Sequence, residues 1–186
     1  MNRCPWCGTD ELYIKYHDEE WGVPVHDDRK HFEFLVLESA QAGLSWITIL
    51  RKRENYRVAY DNFDPVKISQ YTEEKVETLL ANPGIVRNRR KIDASIGNAK
   101  EFLKLQEEYG SFDNYIWSFV DNNQIINSWK ELSELPASTE LSDKISKDLK
   151  KRGFKFLGTT IVYSYLQAVG IIDDHIDSCF KRTNSI

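Results

Sequence analysis

Cysteine and histidine residues occur in pairs at the two ends of this 186-residue chain, and this pairing constrains the fold more than any other feature. Cys4 and His17 lie in the first segment, and His175 and Cys179 lie near the end. Two sulfur and two nitrogen ligands suit a tetrahedral zinc ion. A shared structural ion would tie the two ends together and compensate for the small core of the N-terminal segment.

The spacing alone leaves other arrangements open. Cys4 and Cys7 form a C-x-x-C sequence, so a second ligand set also fits, made of Cys4, Cys7, His175 and Cys179. His175 and Cys179 are four residues apart and would share one face of a helix. Without a metal, His175 would be a capping residue and Cys179 a buried thiol. The odd number of cysteines, three, argues against a disulfide framework.

The hydrophobic pattern is helical almost throughout, and the alternation typical of strands is scarce. Ile92, Ile96, Ala99 and Leu103 mark one face of a long helix. Further helices are predicted over residues 30–42, from 45 through 56, from 72 to 82, from 138 or 142 to 152, and from 159 or 160 to 170. We therefore expect one all-α domain over residues 1–186 with about eight helices. Its first 28 residues look irregular.

The net charge of −4 argues against a nucleic-acid partner, but the distribution of charge matters more than the sum. Basic residues cluster at 51–53, at 87–91 and at 150–155. The last cluster, with Lys151 and Lys155, flanks a glycine-bounded turn that ends where Gly158 and Thr159 open a helix. Free N–H groups at a helix start bind phosphate without reading sequence. The alternative is a plain connection between two helices.

Glu38 lies inside an apolar helix, where a lone carboxylate is costly to bury without a partner. The alternative is that Glu38 faces solvent. Tyr16, Trp46 and Trp6 offer flat surfaces for a base or material for the core. An aromatic slot closed by a carboxylate suits a flipped, positively charged purine.

At these residues the sequence resembles the 3-methyladenine DNA glycosylase I family, within the helix-hairpin-helix glycosylase superfamily. The matching stretches extend from Arg3 to about Cys179 and include residues 12–14, 16–18, 20–24, 41–48, 52–57, 63–67, 117–120 and 150–160. The resemblance implies an all-helical repair fold. It also implies a zinc tether that leaves Cys7 outside the ligand set, which is Cys4, His17, His175 and Cys179.

The resemblance also assigns roles in the site. It implies that Glu38 binds the base edge and is the catalytic carboxylate, that Tyr16 and Trp46 stack on the base, and that Trp6 lies nearby. The loop at Gly43 and Leu44 would enter the gap in the duplex. The implied reaction is hydrolysis of the N-glycosidic bond of 3-methyladenine in alkylated double-stranded DNA. This reaction releases the free base and starts base excision repair.

Most members of the superfamily place a catalytic aspartate after the hairpin helix, and this family is said to lack it. Asp173 and Asp174 precede His175 and either restore that carboxylate or cap the helix that carries the ligands. We favour the cap. No lysine is placed to form a Schiff base, so we expect a monofunctional enzyme that does not cleave the strand.

Two functions of other classes remain open. One is a zinc-stapled DNA-binding module without catalysis, which a base-release assay would separate from an enzyme. The other is a structural zinc protein without a DNA role, which salt-dependent DNA binding would exclude. The sequence has neither a signal-peptide core nor an apolar run long enough for a bilayer, so we expect a cytoplasmic protein without a membrane partner. We also expect a monomer.

Overall fold

The computed structural model describes residues 1–182, and its regular secondary structure is almost wholly α-helical. The helices are α1 (Glu11–Glu19), α2 (Asp28–Gln41), α3 (Trp46–Ala59), α4 (Pro65–Ser69), α5 (Glu73–Ala81), α6 (Arg89–Tyr109), α7 (Phe112–Ser118), α8 (Glu140–Lys151) and α9 (Thr159–Ala168). Short 3-10 helices cover Pro5–Cys7, Asp61–Phe63 and Leu132–Glu134. The predicted all-α class is confirmed.

Side-chain caps explain where most of the helices begin. In seven of the nine α-helices of residues 1–182, a polar side chain accepts a hydrogen bond from a main-chain N–H of the first turn. These caps are Asp10, Asp27, Asp64, Thr72, Asn88, Ser111 and Thr139. The other two helices, α3 and α9, begin after Ser45 and Gly158 without such a bond. Their first N–H groups are therefore left for another partner.

Helix α2 lies at the centre of the fold because its apolar residues are not confined to one face. Phe32, Phe34, Leu35 and Leu37 are each at most 1% exposed. A helix that is apolar on all sides must be covered by other elements, and α2 packs against α3, α6, α7 and α9. It carries Glu38 into the interior at 2% exposure, which excludes the solvent-facing alternative.

The N-terminal segment is more regular than the sequence indicated. Residues 11–19 form α1 because the Asp10 carboxylate accepts a hydrogen bond from the Tyr13 main-chain N–H at 3.1 Å. The expectation of 28 irregular residues was wrong for this stretch.

The C-terminal segment lies against the N-terminal one but is not helical. A two-residue strand, β2 (Ile172–Asp173), pairs in parallel with β1 (Ile125–Ile126), and residues 174–179 then follow an irregular course that ends in a turn. The prediction that His175 and Cys179 share a helix face was therefore wrong. Within the part of the chain described, no helix is both long and apolar enough to cross a bilayer.

Candidate active site

An aromatic pocket opens where α1, α2, α3 and α9 approach one another. Its volume is about 190 Å³. An apolar cavity of about 150 Å³ accommodates benzene, so this pocket accepts a planar heterocycle. Its lining residues are Trp6, Tyr13, Tyr16, Trp21, Glu38, Gln41, Trp46, Leu132, Leu135, Ser164 and Gln167. The structure thus brings together all four residues that were predicted to bind a base.

The aromatic rings of the pocket are tilted against one another. The centroids of Tyr16 and Trp46 are 5.5 Å apart, with 51° between the planes. Trp6 packs edge-on against Trp21 at 4.9 Å and lies 5.0 Å from Tyr13. Tyr13 and Trp21 line the pocket although the sequence did not single them out as base contacts. Both belong to the aromatic residues of the N-terminal segment, and this was the sequence signal that could have identified them as lining residues.

Glu38 faces this pocket in an environment that disfavours its charged form. Burial raises the pKa of its carboxyl group to about 8, and desolvation is the cause. Its Oε2 atom is buried and has no hydrogen-bond partner among the described residues. A carboxylate in this position favours any cation that enters the pocket.

Two further polar atoms of the pocket residues are buried without partners in the described chain. They are the indole Nε1 atoms of Trp6 and Trp46. Buried polar groups are nearly always hydrogen-bonded, so three unpaired ones at one cavity mark a place where a polar ligand can bind. The indoles can only donate, and an ionised Glu38 can only accept. The arrangement therefore suits a flat ligand that carries both donors and acceptors.

Lys91 fixes the turn between α2 and α3, beside the pocket. Its Nζ donates to the Ala40 carbonyl at 2.8 Å and to the Ala42 carbonyl at 2.6 Å. Gly43 has a φ of +81°, which favours glycine, and Leu44 is 40% exposed. Leu44 thus projects from a braced turn. The sequence placed Lys91 only in a basic cluster, and nothing in it set Lys91 apart from Arg89 and Arg90 in the same helix turn.

Three of the four predicted metal ligands converge beneath the pocket. One ligand atom from each of Cys4, His17 and Cys179 lies within 4.8 Å of the others. All three residues are buried. Asp18 Oδ1 lies 2.7 Å from His17 Nδ1, and His17 Nε2 lies 3.4 Å from Cys179 Sγ and accepts from the Cys4 main-chain N–H at 3.3 Å. A histidine held through one ring nitrogen by a carboxylate is the usual arrangement beside a protein-bound metal.

His175, the fourth predicted ligand, lies next to this cluster. Its ring centroid is 5.0 Å from that of His17. Asp173 Oδ1 lies 2.7 Å from its Nδ1, and its Nε2 is buried without a hydrogen-bond partner among the described residues. Cys7 is also buried, but its thiol donates to the Cys4 carbonyl at 3.2 Å and is absent from the converging group. The donors and the unpaired His175 Nε2 therefore fit zinc.

Asp173 stabilises the turn before the ligands rather than a helix. Its Oδ1 atom accepts a hydrogen bond from the His175 main-chain N–H at 3.0 Å. This is the local pattern in which an aspartate closes a turn two residues on. The prediction that Asp173 and Asp174 cap a helix was therefore wrong, because residues 174–179 form no helix and Asp173 closes a turn instead.

The connection between α8 and α9 is a tight hairpin that is hydrogen-bonded to α6. Asn98 donates through Nδ2 to the Lys155 carbonyl at 2.9 Å and accepts from the Lys155 N–H at 2.8 Å. The sequence did not indicate Asn98, which is 57 residues away. The hairpin presents the uncapped start of α9, at Gly158 and Thr159, beside Lys155. Helix starts of this kind bind anions.

The three basic clusters of the sequence differ in how their charges are used. In the first, Arg51 pairs with Asp10, and buried Arg53 pairs with Glu20 and Glu33. In the second, Arg89 pairs with three carboxylates and Lys91 with carbonyl groups.

In the third cluster only Arg152 is neutralised, by Glu108 and Asp148. Lys150, Lys151 and Lys155 form no ion pair within residues 1–182. Three unpaired lysines therefore lie together beside the hairpin, whereas Lys52, Arg87 and Arg90, which also form no ion pair within residues 1–182, belong to the other two clusters.

Comparison with known proteins identifies the family. A sequence profile of the methyladenine glycosylase family matches residues 6–182. The chain belongs to this family. DNA-3-methyladenine glycosylase 1 of Escherichia coli strain K12 is 52% identical over 179 residues, 96% of each chain. A crystal structure of 3-methyladenine DNA glycosylase I is 53% identical, with a TM-score of 0.95 over 98% of this chain and 100% of that one.

A solved glycosylase of the same name was crystallised, as a variant, in complex with 3-methyladenine. It is 38% identical to this chain, with a TM-score of 0.95 and 98% of each chain covered. The methyladenine glycosylase family and the enzyme class predicted from the sequence are confirmed by these comparisons.

Proposed function

We propose that this protein hydrolyses the N-glycosidic bond of 3-methyladenine in alkylated double-stranded DNA and so begins base excision repair. The observation that carries the proposal is Glu38, a carboxyl group buried without a partner in an aromatic pocket. The complex of a related glycosylase with 3-methyladenine supports the same ligand. The product is the free base, and no strand cleavage is expected.

Charge selects the substrate in this proposal. An adenine methylated at N3 is cationic in DNA, whereas normal adenine is neutral. Ionising Glu38 against a pKa of about 8 costs free energy, and a cation in contact with the carboxylate offsets that cost. Normal adenine offers no such compensation. The same interaction holds the damaged base in the pocket while the bond to the sugar lengthens.

Two surface elements place the nucleotide. Leu44 projects from the turn that Lys91 braces, and it would fill the gap that a flipped nucleotide leaves in the duplex. The α8–α9 hairpin acts as a helix-hairpin-helix element. Its unpaired lysines and the N–H groups at Gly158 and Thr159 would hold a phosphate.

We also propose one structural zinc ion per chain, held by Cys4, His17, His175 and Cys179. The convergence of three ligand atoms and the unpaired Nε2 of His175 support it. Four protein ligands leave no position for a reacting water, so the ion supplies stability rather than chemistry. The monomeric state and the cytoplasmic location stay predictions.

The test of the base-binding proposal is Glu38→Gln, which keeps the size of the side chain and removes its charge. We expect the affinity for free 3-methyladenine to fall roughly ten- to a hundredfold, because a charge-assisted hydrogen bond contributes about 1.5–3 kcal/mol. Excision should slow, and the fold should survive because the variant relieves a buried acid. Calorimetry, a base-release assay and a melting curve measure the three effects.

The matched control is Glu54→Gln, which removes a carboxylate on α3 that is 78% exposed. It should leave affinity and excision at the wild-type level. Equal affinity and equal excision in Glu38→Gln and wild type would contradict the role of Glu38.

A further inference from the structure

Asp174 is a buried carboxylate whose hydrogen-bonding capacity is fully used. It is 0% exposed. Its Oδ1 accepts from Asn127 Nδ2 and Trp129 Nε1, both at 2.7 Å. Its Oδ2 accepts from Gln167 Nε2 at 2.7 Å and from the Tyr163 hydroxyl. An ionised carboxylate has about four lone-pair sites, so none remains for a water molecule. Asp174 therefore does not act as the missing catalytic aspartate.

The bond to Asp174 determines how the Gln167 amide is oriented. A carboxylate only accepts hydrogen bonds, so the NH₂ group of Gln167 must face Asp174 and its Oε1 must face away. The main chain of Gln167 is fixed as well, since its carbonyl accepts from the Gly22 N–H at 2.9 Å. No group within residues 1–182 donates to Gln167 Oε1. Because Gln167 lines the aromatic pocket, it presents a fixed, neutral acceptor there.

Gln167 lies on the wall of the pocket that α9 forms. The helix begins at Thr159, the proposed phosphate contact, and each residue adds about 1.5 Å. Ser164 and Gln167 are the α9 residues that line the pocket, roughly 7 and 12 Å from that start. Glu38 and Trp46 approach from α2 and α3. The deoxyribose connects phosphate and base, so with the phosphate at the start of α9, as proposed above, the α9 wall would face the sugar.

We propose that Gln167 Oε1 accepts a hydrogen bond from the water that attacks the anomeric carbon, and that Asp174 is the positioning residue that holds Gln167. This inference rests on the proposed function. The water oxygen bonds to C1′ while the bond from C1′ to the base nitrogen breaks. The electron pair of that bond leaves with the cationic base, which departs neutral. The proton of the water passes to solvent, because a neutral amide orients the water without taking its proton.

Gln167→Leu is the direct test, because it keeps the volume and removes the amide. We expect single-turnover excision from methylated duplex DNA to slow on the order of ten- to a hundredfold. The affinity for free 3-methyladenine should stay within about twofold of wild type, since the base edge is bound elsewhere. A parallel fall of affinity and excision would place Gln167 at the base instead. Unchanged excision would leave Gln167 a structural residue, and either result overturns the inference.

The positioning role of Asp174 is tested by a double-mutant cycle. Asp174→Asn should slow excision, and the double variant with Gln167→Leu should be no slower than Gln167→Leu alone, because both act through one group. Additive losses would contradict the inference. The matched control is Gln106→Leu, which breaks the similar amide–carboxylate bond of 2.6 Å between Gln106 and Asp28. It should not alter excision.

Failure of this inference is separable from failure of the proposed function. If wild-type protein releases no base, the proposed function fails. If wild type releases base and Gln167→Leu does so equally fast, only the role of Gln167 fails.

Discussion

Glu38 combines three properties that rarely occur together in one side chain. It lies on an apolar helix, it is 2% exposed, and one of its oxygens has no partner in the described chain. Burial of an acid is unfavourable and raises its pKa, here to about 8. Strongly shifted groups in a cleft are candidates for function. The sequence placed Glu38 on an apolar helix, but only packing excluded the solvent-facing alternative.

The raised pKa of Glu38 predicts how excision depends on pH. Below a pKa of about 8, the carboxylate fraction of the free protein falls about tenfold for each pH unit. The cationic base requires the carboxylate, so kcat/KM should rise from pH 6 to about 8 and then level off. Base release measured under subsaturating conditions tests this rise. In Glu38→Gln the rise should be absent, and a rise retained by this variant would assign it to another group.

The raised pKa of Glu38 also predicts that the stability of the folded protein changes with pH. The pKa of Glu38 in the folded state, about 8, lies above its ordinary value of 4.5, so folding favours the protonated form. This stabilisation is complete below pH 4.5 and is lost as the pH rises through about 8. The free energy of unfolding of wild type should therefore decline across this window relative to Glu38→Gln. Urea denaturation at pH 5, 6, 7 and 8 measures the difference, and parallel curves would contradict the raised pKa.

At the scale of elements, α9 and α3 differ from the other helices because side chains do not cap their first turns. The start of α9 lies beside the unpaired lysines of the hairpin. The structure leaves N–H groups and charges available at the same place, which would allow a chain of net charge −4 to bind DNA there, as proposed.

The hairpin prediction concerns Lys151 and Lys155. Reversing both charges, in Lys151→Glu with Lys155→Glu, should weaken binding to all DNA sequences alike. The slope of log affinity against log salt should fall by about one per lost phosphate contact. Titrations at several salt concentrations measure the slope. Lys67→Glu on α4 carries the same kind of charge change and should have less effect. An unchanged slope in the double variant would indicate that the hairpin only connects α8 to α9.

Lys91 gives a second prediction at this scale. Lys91→Met removes both hydrogen bonds to the Ala40 and Ala42 carbonyls, so the turn that carries Leu44 should loosen. We expect excision from duplex DNA to slow about tenfold, while free 3-methyladenine binds nearly as in wild type. Lys100→Met, an exposed lysine of the same helix, is the control. Equal rates of excision by the two variants would show that Lys91 has no role in excision.

Local patterns predicted the elements better than they predicted the contacts between them. The apolar spacing of α6 and the Gly158–Thr159 start of α9 lie within a few residues of the sequence, so both helices could be predicted. α1 was missed because cysteine, proline and glycine around it suggested irregular chain. The bonds of Asp174 to Asn127 and Trp129 join residues 47 and 45 positions apart, and the two Asn98 bonds reach Lys155. Such pairs depend on packing, which periodicity does not specify.

The whole molecule is closed by the contact between its two ends. The proposed zinc ligands join the N-terminal segment to the turn after β2, directly beneath Trp6 and Trp21. The base pocket is therefore built partly on the residues proposed to hold the ion. Loss of the ion should therefore lower the stability of the folded state more than it affects the excision reaction itself.

Cys179→Ala tests this role of the metal. Elemental analysis should find about one zinc in wild type and little in the variant. The melting temperature should fall by roughly 10 °C or more, because the ion contributes several kcal/mol and each kcal/mol shifts a chain of this size by about 2–4 °C. Cys7→Ser is the matched control and should retain zinc. Loss of zinc in Cys7→Ser would favour the alternative ligand set, and a wild type free of zinc would contradict the tether.

The most direct test of the whole account is base release by wild-type protein from a methylated DNA duplex, followed by chromatography of the free bases and electrophoresis of the strand. We predict that 3-methyladenine is released, that unmodified adenine is retained, and that the strand stays intact until the abasic site is treated with alkali. Salt-dependent binding to the same duplex without release of 3-methyladenine would contradict the account and leave a DNA-binding module.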